Sequence, residues 1–587
     1  MRILLIHPQD DLLEGPWAGL AWDRIVDLGL SGEEGYRKAA QRFRCPVSPL
    51  DALRGENFQE IRRVRDLLLQ GTGRLTDTTG LDWWELTAIL VHLQLETIVL
   101  LRKFIRTVGP GDEVYVSQPC LQAEVLQLSL GSRLHVFPSR RAGRGPRHYF
   151  RVLRKFPPRQ LLEIFWDKVD AGYQVRGALN TKHRASSVPV VLLPSSYVNV
   201  SKTGISYAKV LPDMQFLLLV TRRSGWIDDC PANVSRAWLR SYSAADRQVR
   251  RKEWLDLVER WRTLREELEG TAEFEMLSRV GCFDEFPVRF ARGLEIRDAW
   301  RNVLDREPVQ SVLCADDSNP YTHIPLLLAA QRNLPSINCH HGALDGRYMF
   351  KRGHADVTLA KGRMEQDYLV RVCGVFADRV EVGAPAAPPI GDGEHGPNPK
   401  SAIVFFSEVY EVSGGRARDF YEDILPRLAD LAISTGKELI IKLHPSESVA
   451  ERTKIVNRVL GPDRRQVARV LDGGITNDLW NRAWFCVTVL STVAVECALR
   501  GVPCFLCAWL ESWPYGYVEQ FSRFGAGIRL SAASELERIP VLLREYTSSP
   551  TLEEDLASRI EAPRLRAWLT KGPERNMVSV QQHATGC

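Results

Sequence analysis

Four short stretches carry the side chains that could do chemistry. "KELIIKLHPSES", Lys437 to Ser448, ends an apolar strand-like run in Lys442, His444, Ser446 and Ser448, with Pro445 placed to stop the strand and prime a helix. "TVLSTVAVECALRGVP" sets Ser491 as the N-cap of a helix predicted through Arg500 and closed by Gly501, with Thr492 next to the cap. Glu496 follows Thr492 by four residues, so it lies on the same helix face one turn deeper. "FFSEVYEVSGG" presents Ser407 and Glu408 at another strand tip. A helix start offers free N–H groups and partial positive charge, a seat for phosphate. Ser491 and Thr492 add hydroxyl donors. The His444 imidazole can hydrogen-bond a phosphate or protonate beside it. A carboxylate at Glu496 suits the two hydroxyls of a ribose. Ser407, Lys442, His444, Ser491, Thr492 and Glu496 together describe a nucleotide phosphate-plus-ribose site. Each also has a plainer reading: the His-Pro pair as a turn, the serine as a structural cap, Glu496 as a solvated helix residue. Their occurrence in order at the strand ends of one domain favours the site.

The fourth stretch supplies a base. In "CADDSNPYTH", Asp316 and Asp317 follow the strand-like Ser311 to Cys314. Not far beyond, His341 stands in "PSINCHHGALDGRYMF". A carboxylate or a neutral imidazole at a strand end can take a proton from an acceptor hydroxyl. The plainer readings are turn chemistry for "DDSNP" and a satisfied structural histidine. The strand ends of the last unit present no paired carboxylates, and no metal site is expected in the chain.

The elements that must position these residues alternate short apolar runs with longer helical patterns, the signature of α/β units with parallel sheets. At 587 residues the chain is too long for one core. Residues 1–138 read as an N-terminal α/β lobe, opening on the strand "RILLIH", with helices at Phe58 to Leu69 and Trp83 to Arg106. Residues 139–184 form a basic connecting segment. Residues 185–385 read as a second α/β domain with a helical insertion at about 231–305, whose Trp254, Leu257, Trp261, Leu264 and Leu268 recur at helical spacing. Residues 386–401 are a Gly/Pro-dense linker that would let the flanking lobes close over a donor. Residues 402–545 read as a third α/β domain and 546–587 as a helical tail.

Composition excludes several classes. Hydrophobic content of 44% and charged content of 25% are those of a soluble globular protein, and a net charge of +5 does not imply a nucleic-acid binder. The most apolar long segment, Leu86 to Leu101, carries His92, Gln94 and Glu96 and is too short and polar to span a bilayer. The N-terminus lacks the pattern of a signal peptide. The 12 cysteines are scattered, and Cys504 and Cys507 lie in a strand-like run rather than a metal knuckle. A cytoplasmic protein with reduced thiols is expected. Ser139 to Arg159 has eight Lys/Arg and no acid. It reads first as a solvated connector and alternatively as a contact to an anionic membrane surface, glycan or lipid phosphate, which would place the chain on the inner face of a membrane. Tyr149 and Phe150 alone are too few stacking aromatics for a nucleic-acid partner.

The order of "HP" after one strand and "ST…E…GVP" around a later helix resembles the C-terminal domain of GT-B glycosyltransferases. The resemblance is to those making bacterial surface polymers: polysialyltransferases, capsule Kdo transferases and CDP-glycerol glycerophosphotransferases. "PSINCHHGALDGRYMF" resembles the strand-end His-Gly motif of the glycerophosphotransferase group, with His341 before Gly342. "HADVTLAKGRMEQDYLVRVCGVFADRVEVGAP" resembles the crossing from first to second GT-B domain. The pattern spans roughly 300–510 and leaves out the N-terminal ~185 residues. His340 stands where that group usually has an aromatic, and Ser318 follows Asp316 and Asp317 where polysialyltransferases have glycine, so no donor class carries over.

The resemblance implies an α/β fold of GT-B type, two Rossmann-type domains facing a cleft with an additional N-terminal α/β lobe. It implies an enzyme without a cofactor that takes a nucleotide-sugar or CDP-polyol donor as substrate and a glycan or lipid-linked acceptor. The expected roles are His341 or Asp317, with Asp316, as the catalytic base and the Lys442, His444, Ser491 and Thr492 set on the departing phosphate. Two rivals are a GT-B nucleotide-sugar epimerase, which needs no acceptor, and a non-catalytic assembly protein of a glycan pathway, which binds nucleotide weakly or not at all.

Overall fold

The computed structural model describes residues 1–55, 58–138, 187–243, 247–385, 400–546 and 551–572. All of the basic connecting segment and most of the linker lie outside the described residues, so the membrane-contact and hinge expectations attached to them do too.

Eighteen strands among the described residues form three wholly parallel sheets. The first, in the order β3-β2-β1-β4-β5, comprises Arg2–Ile6 (β1), Arg24–Asp27 (β2), Val47–Pro49 (β3), Glu113–Val116 (β4) and Leu134–Val136 (β5). The second, β12-β11-β10-β9-β6-β7-β8, comprises Val190–Ser195 (β6), Gln215–Val220 (β7), Val234–Trp238 (β8), Val309–Cys314 (β9), Ser336–Cys339 (β10), Val357–Ala360 (β11) and Val380–Val382 (β12). The third, β15-β14-β13-β16-β17-β18, comprises Ala402–Phe406 (β13), Glu438–Lys442 (β14), Ala468–Leu471 (β15), Ala483–Thr488 (β16), Cys504–Cys507 (β17) and Ile528–Leu530 (β18). Central strands such as "AIVFF" at β13 and "VVLLPS" at β6 are buried on both faces, as parallel strands under helices must be. The fold is α/β, as its alternating pattern predicts.

Each sheet reverses its winding beside its first strand: at β1/β4, β6/β9 and β13/β16. Such switch points open a crevice at the carboxyl ends of the strands, where ligands settle.

Local detail departs from the sequence reading at polar or broken runs. β2 ("RIVD"), β3 ("VSP") and β18 ("IRL") are too short or polar to announce themselves, and β8 lies within the segment read as a helical insertion. The helix read across Trp83 to Arg106 is two, Trp83–Ala88 and His92–Arg106. Asp82 caps the first by accepting from the Trp84 N–H, and at the break the His92 ring bonds the Ile89 carbonyl.

The N-terminal lobe packs on both other units. Trp84 stacks on Trp261 of the helix Arg247–Leu268, ring centroids 5.9 Å apart, which buries most of that helix's apolar stripe. Arg416, beyond β13, donates to both oxygens of buried Asp27 at the end of β2 (2.5 and 2.8 Å). It also donates to the carbonyls of Asp10 (2.8 Å) and His7 (3.1 Å). The tail returns to the second unit: the Ala384 N–H donates to the Ser558 carbonyl (2.6 Å), and Leu565, Trp568 and Leu569 of the helix Ala562–Lys571 join its core. No described helix is long and apolar enough to cross a membrane.

Candidate functional site

At the β13/β16 switch point, consecutive residues Ser407 and Glu408 turn to different neighbours. The Glu408 carboxylate accepts from the Thr488 hydroxyl (2.9 Å) and from the N–H groups of Val489 (3.2 Å) and Leu490 (2.9 Å). Burial still pushes its carboxyl above the usual range. Ser407 donates to Glu447 (2.8 Å) and shares a hydrogen bond with the Tyr421 hydroxyl (2.7 Å). Glu447 also accepts from Arg452 (2.6 Å) and from the His444 N–H (2.7 Å), and Arg452 holds both oxygens of Glu411. Ser407 is therefore a tie between the loops after β13 and β14.

Lys442 is turned inward. Its ammonium donates to the carbonyls of Leu443 (2.9 Å) and Gly473 (2.7 Å), binding β14 to the loop after β15, and burial lowers its pKa. His444 is exposed beyond it, its Nδ1 accepting from the Ser446 N–H (3.1 Å). That turn delays the helix expected at Pro445, which starts at Val449 with Ser448 as its N-cap. After β16, Ser491 accepts from the Val493 N–H (3.3 Å), Thr492 is the exposed N-cap residue and the helix runs Val493–Leu499. Gly501, at φ +66°, ends it. Glu496 is exposed on this helix. The structure thus brings Ser407, Lys442, His444, Ser491 and Thr492 to one sheet edge. Ser407 and Lys442 spend their polar atoms on the scaffold, while His444, Thr492 and Glu496 face outward.

At the β6/β9 switch point, Tyr197 and Asp316 meet. The Tyr197 hydroxyl donates to Asp316 Oδ2 (2.8 Å) and lies 3.0 and 3.1 Å from the two ring nitrogens of His341, the rings meeting edge-on. Having given its proton to the carboxylate, the hydroxyl can only accept from His341. One imidazole nitrogen is then a donor to Tyr197 and the other a bare acceptor. Burial pushes the half-buried His341 below its ordinary pKa, so it is neutral near pH 7. Burial works to raise Asp316, but the charges of Lys351 and Arg347 outweigh it and keep the carboxylate ionised, and the Ser318 N–H donates to it (2.9 Å). Asp317 is locked to Lys351 at 2.5 Å. Asp345 binds Arg347 at 2.8 Å and lies 3.8 Å from Lys351. His340 is buried, no described residue bonds either ring nitrogen, and burial drives its pKa down to about 3.

The two edges touch. A Cβ on Gly342 would lie 2.9 Å from the His340 ring, which crowds it, and 3.7 Å from the Thr492 methyl, so the His341–Gly342 turn lies against the start of the helix after β16. Nearby, the Gly346 N–H donates to the Tyr517 hydroxyl (2.8 Å), and the Tyr368 hydroxyl donates to the Tyr515 carbonyl (2.8 Å). The second and third units are thus joined by packed aromatic core beside the His341–Thr492 approach. Sequence reasoning missed Tyr197, Lys351 and the occupation of the Val489 and Leu490 N–H groups by Glu408. Tyr197 had a signal: it stands in the hydroxyl-rich loop at the carboxyl end of β6.

No protein-family model matches the chain, and no curated protein matches it. Several solved structures are similar at low identity. A UDP-GlcNAc 2-epimerase from Methanocaldococcus jannaschii aligns at 10% identity over 65% of this chain and 99% of its own, with a TM-score of 0.40. MurG from Acinetobacter baumannii aligns at 11% over 65% and 99%, TM-score 0.38. The MnaA–UDP structure from S. aureus aligns at 12% over 64% and 94%, TM-score 0.38. Likeness at this level assigns no role to any residue here.

Proposed function

We propose that the chain transfers a sugar or polyol phosphate from a nucleotide-activated donor to a hydroxyl of a glycan or lipid-linked acceptor, in the manner of GT-B surface-polymer transferases. The observation that carries this reading is the approach of His341–Gly342 to Thr492, which brings the turn carrying a neutral imidazole at one switch point to an exposed hydroxyl residue at another. His341 takes the acceptor proton on its free nitrogen, and the resulting imidazolium is held through Tyr197 by the charged Asp316. Thr492, Ser491 and His444 meet the departing phosphate. Phosphate contacts are assigned to these side chains because Glu408 already holds the N–H groups of Val489 and Leu490. A fixed donor aimed at developing charge lowers a barrier by about 2.7–4 kcal/mol.

The test is turnover of candidate donors with and without acceptor. His341→Ala should cut transfer by about 10²–10⁴-fold, and His444→Ala by at least roughly tenfold, both with unchanged circular dichroism. Full activity in His341→Ala removes it as the base. Sugar product formed without acceptor identifies an epimerase, and absence of nucleotide binding identifies a non-catalytic assembly protein.

A further inference from the structure

A second cluster lies where the N-terminal lobe meets the second unit. Glu85 stands on the helix Trp83–Ala88, His323 on the helix Pro320–Gln331 and His354 in the loop before β11. One ligand-capable atom of each lies within 4.8 Å of the others. His354 Nε2 is 2.7 and 2.8 Å from the two Glu85 oxygens, and His323 Nε2 is 3.3 Å from Oε1.

The His323 ring has a readable tautomer. Its Nδ1 lies 3.0 Å from the Asp317 backbone carbonyl, which can only accept, so Nδ1 carries the hydrogen. In the neutral ring, Nε2 is then a bare lone pair 3.3 Å from a carboxylate oxygen. His323 is 6% exposed, and this nitrogen makes no hydrogen bond among the described residues. A lone pair facing a carboxylate in a buried site repels it unless a cation stands between them. A backbone carbonyl fixing Nδ1–H while Nε2 points at an anion is also how proteins orient a metal-binding imidazole. The 3.3 Å His323–Glu85 separation is close to the ~3.3 Å edge of a tetrahedron with bonds of about 2.0–2.1 Å, the lengths for imidazole and carboxylate on zinc, whereas His354 and Glu85, at 2.7 and 2.8 Å, stand at hydrogen-bond distance and move apart when an ion enters.

The site has an open side. A cavity of about 10 Å³ is lined by Glu85, His323, Asp317, Asn319 and Lys351, so a fourth position has room for about one water. Two imidazoles and one carboxylate suit a first-row divalent ion rather than Mg²⁺ or Ca²⁺. We propose that Glu85, His323 and His354 bind one divalent ion of the zinc class, with its free coordination position turned to the pocket beside Asp317. The ion staples the N-terminal lobe to the second unit. The sequence reading expected no metal, and this proposal departs from it.

The test uses the untagged full-length protein. Elemental mass spectrometry after dialysis should find about one zinc-class ion per chain. Cobalt(II) added to chelator-treated protein should give visible ligand-field bands and raise the thermal midpoint. His354→Ala removes a partly exposed ligand and should weaken cobalt binding by at least roughly tenfold while keeping the native circular dichroism. Glu85→Gln is the second variant. Wild-type protein that holds no metal and gives no cobalt bands overturns the proposal and leaves a proton on His323 as the neutralising cation. Bands that persist unchanged in both variants overturn it too. Neither result bears on nucleotide binding, so the transferase reading stands or falls separately.

Discussion

Replacing Arg416 by methionine should unfasten the N-terminal lobe from the third unit. Arg416 is 9% exposed and Asp27 fully buried. The guanidinium supplies Asp27 with two charge-assisted bonds and also holds the Asp10 and His7 carbonyls. After Arg416→Met, Asp27 keeps, among the described residues, the Gly29 N–H (2.9 Å) and the Tyr36 hydroxyl (3.2 Å), both neutral donors. Methionine fills most of the volume, so the cost is mainly that of an uncompensated buried charge, about 3–5 kcal/mol. At about 1.4 kcal/mol per decade, the local opening constant rises by roughly two to three and a half decades. Hydrogen exchange read by mass spectrometry should show this in peptides covering 24–38 and 414–425, while peptides over β9 and β10 keep their protection. Adding Asp27→Asn removes the stranded charge and should restore most of the protection. Unchanged exchange in Arg416→Met, or a double variant no better than the single one, would refute the reasoning.

Other outcomes follow from the same geometry. His340 has a folded pKa of about 3 and His92 of about 4, both lowered by burial, against an ordinary 6.5. As pH falls below 6.5 the unfolded chain takes up protons that the folded chain refuses. Stability is therefore full above 6.5 and falls as pH drops, approaching about 1.4 kcal/mol per pH unit for each histidine. Urea midpoints at pH 7.0 and 5.0 should differ less in His340→Phe than in wild type, and an equal loss would contradict the assignment. A Cβ at Gly346 would lie 2.5 Å from the Tyr515 ring, so Gly346→Ala should cost about 1–3 kcal/mol by overpacking. Much of that cost should be recovered when Tyr515→Ala is added, and strict additivity of the two would rule out the contact. Tyr197→Phe should slow transfer by about ten- to a hundredfold and move the acid limb of the pH–rate profile to lower pH, because His341 loses the group that stabilises its protonated form. An unmoved limb takes Tyr197 out of the relay.

The α/β class was legible because parallel strands buried on both faces read as apolar runs, and β6, β13 and the Leu439–Ile441 centre of β14 are such runs. The strand tips were legible for the same reason: in a parallel sheet every carboxyl end lies on one edge, so Ser407, Lys442 and Ser491 had to share it. Side-chain direction was not. Lys442 looks like a phosphate ligand until the loop after β15 offers it the Gly473 carbonyl, a contact across 31 residues. Glu85 reaches His354 across 269 residues and Tyr197 reaches Asp316 across 119, and no local pattern encodes such pairings. Glu408 was visible as a strand-tip acid, but its use on the Val489 and Leu490 N–H groups depends on β13 and β16 being neighbours, which follows from sheet order rather than from spacing.

The central claim is that one nucleotide-activated donor lies between the loop after β10 and the helix start after β16. The direct measurement is hydrogen exchange with and without nucleotide, using whichever of CMP, UDP, CDP, GDP and ADP raises the thermal midpoint. Simultaneous protection of peptides over 339–346 and 488–497 is the predicted result. If none of the five shifts the midpoint, or if protection falls on surfaces away from both segments, the account is contradicted.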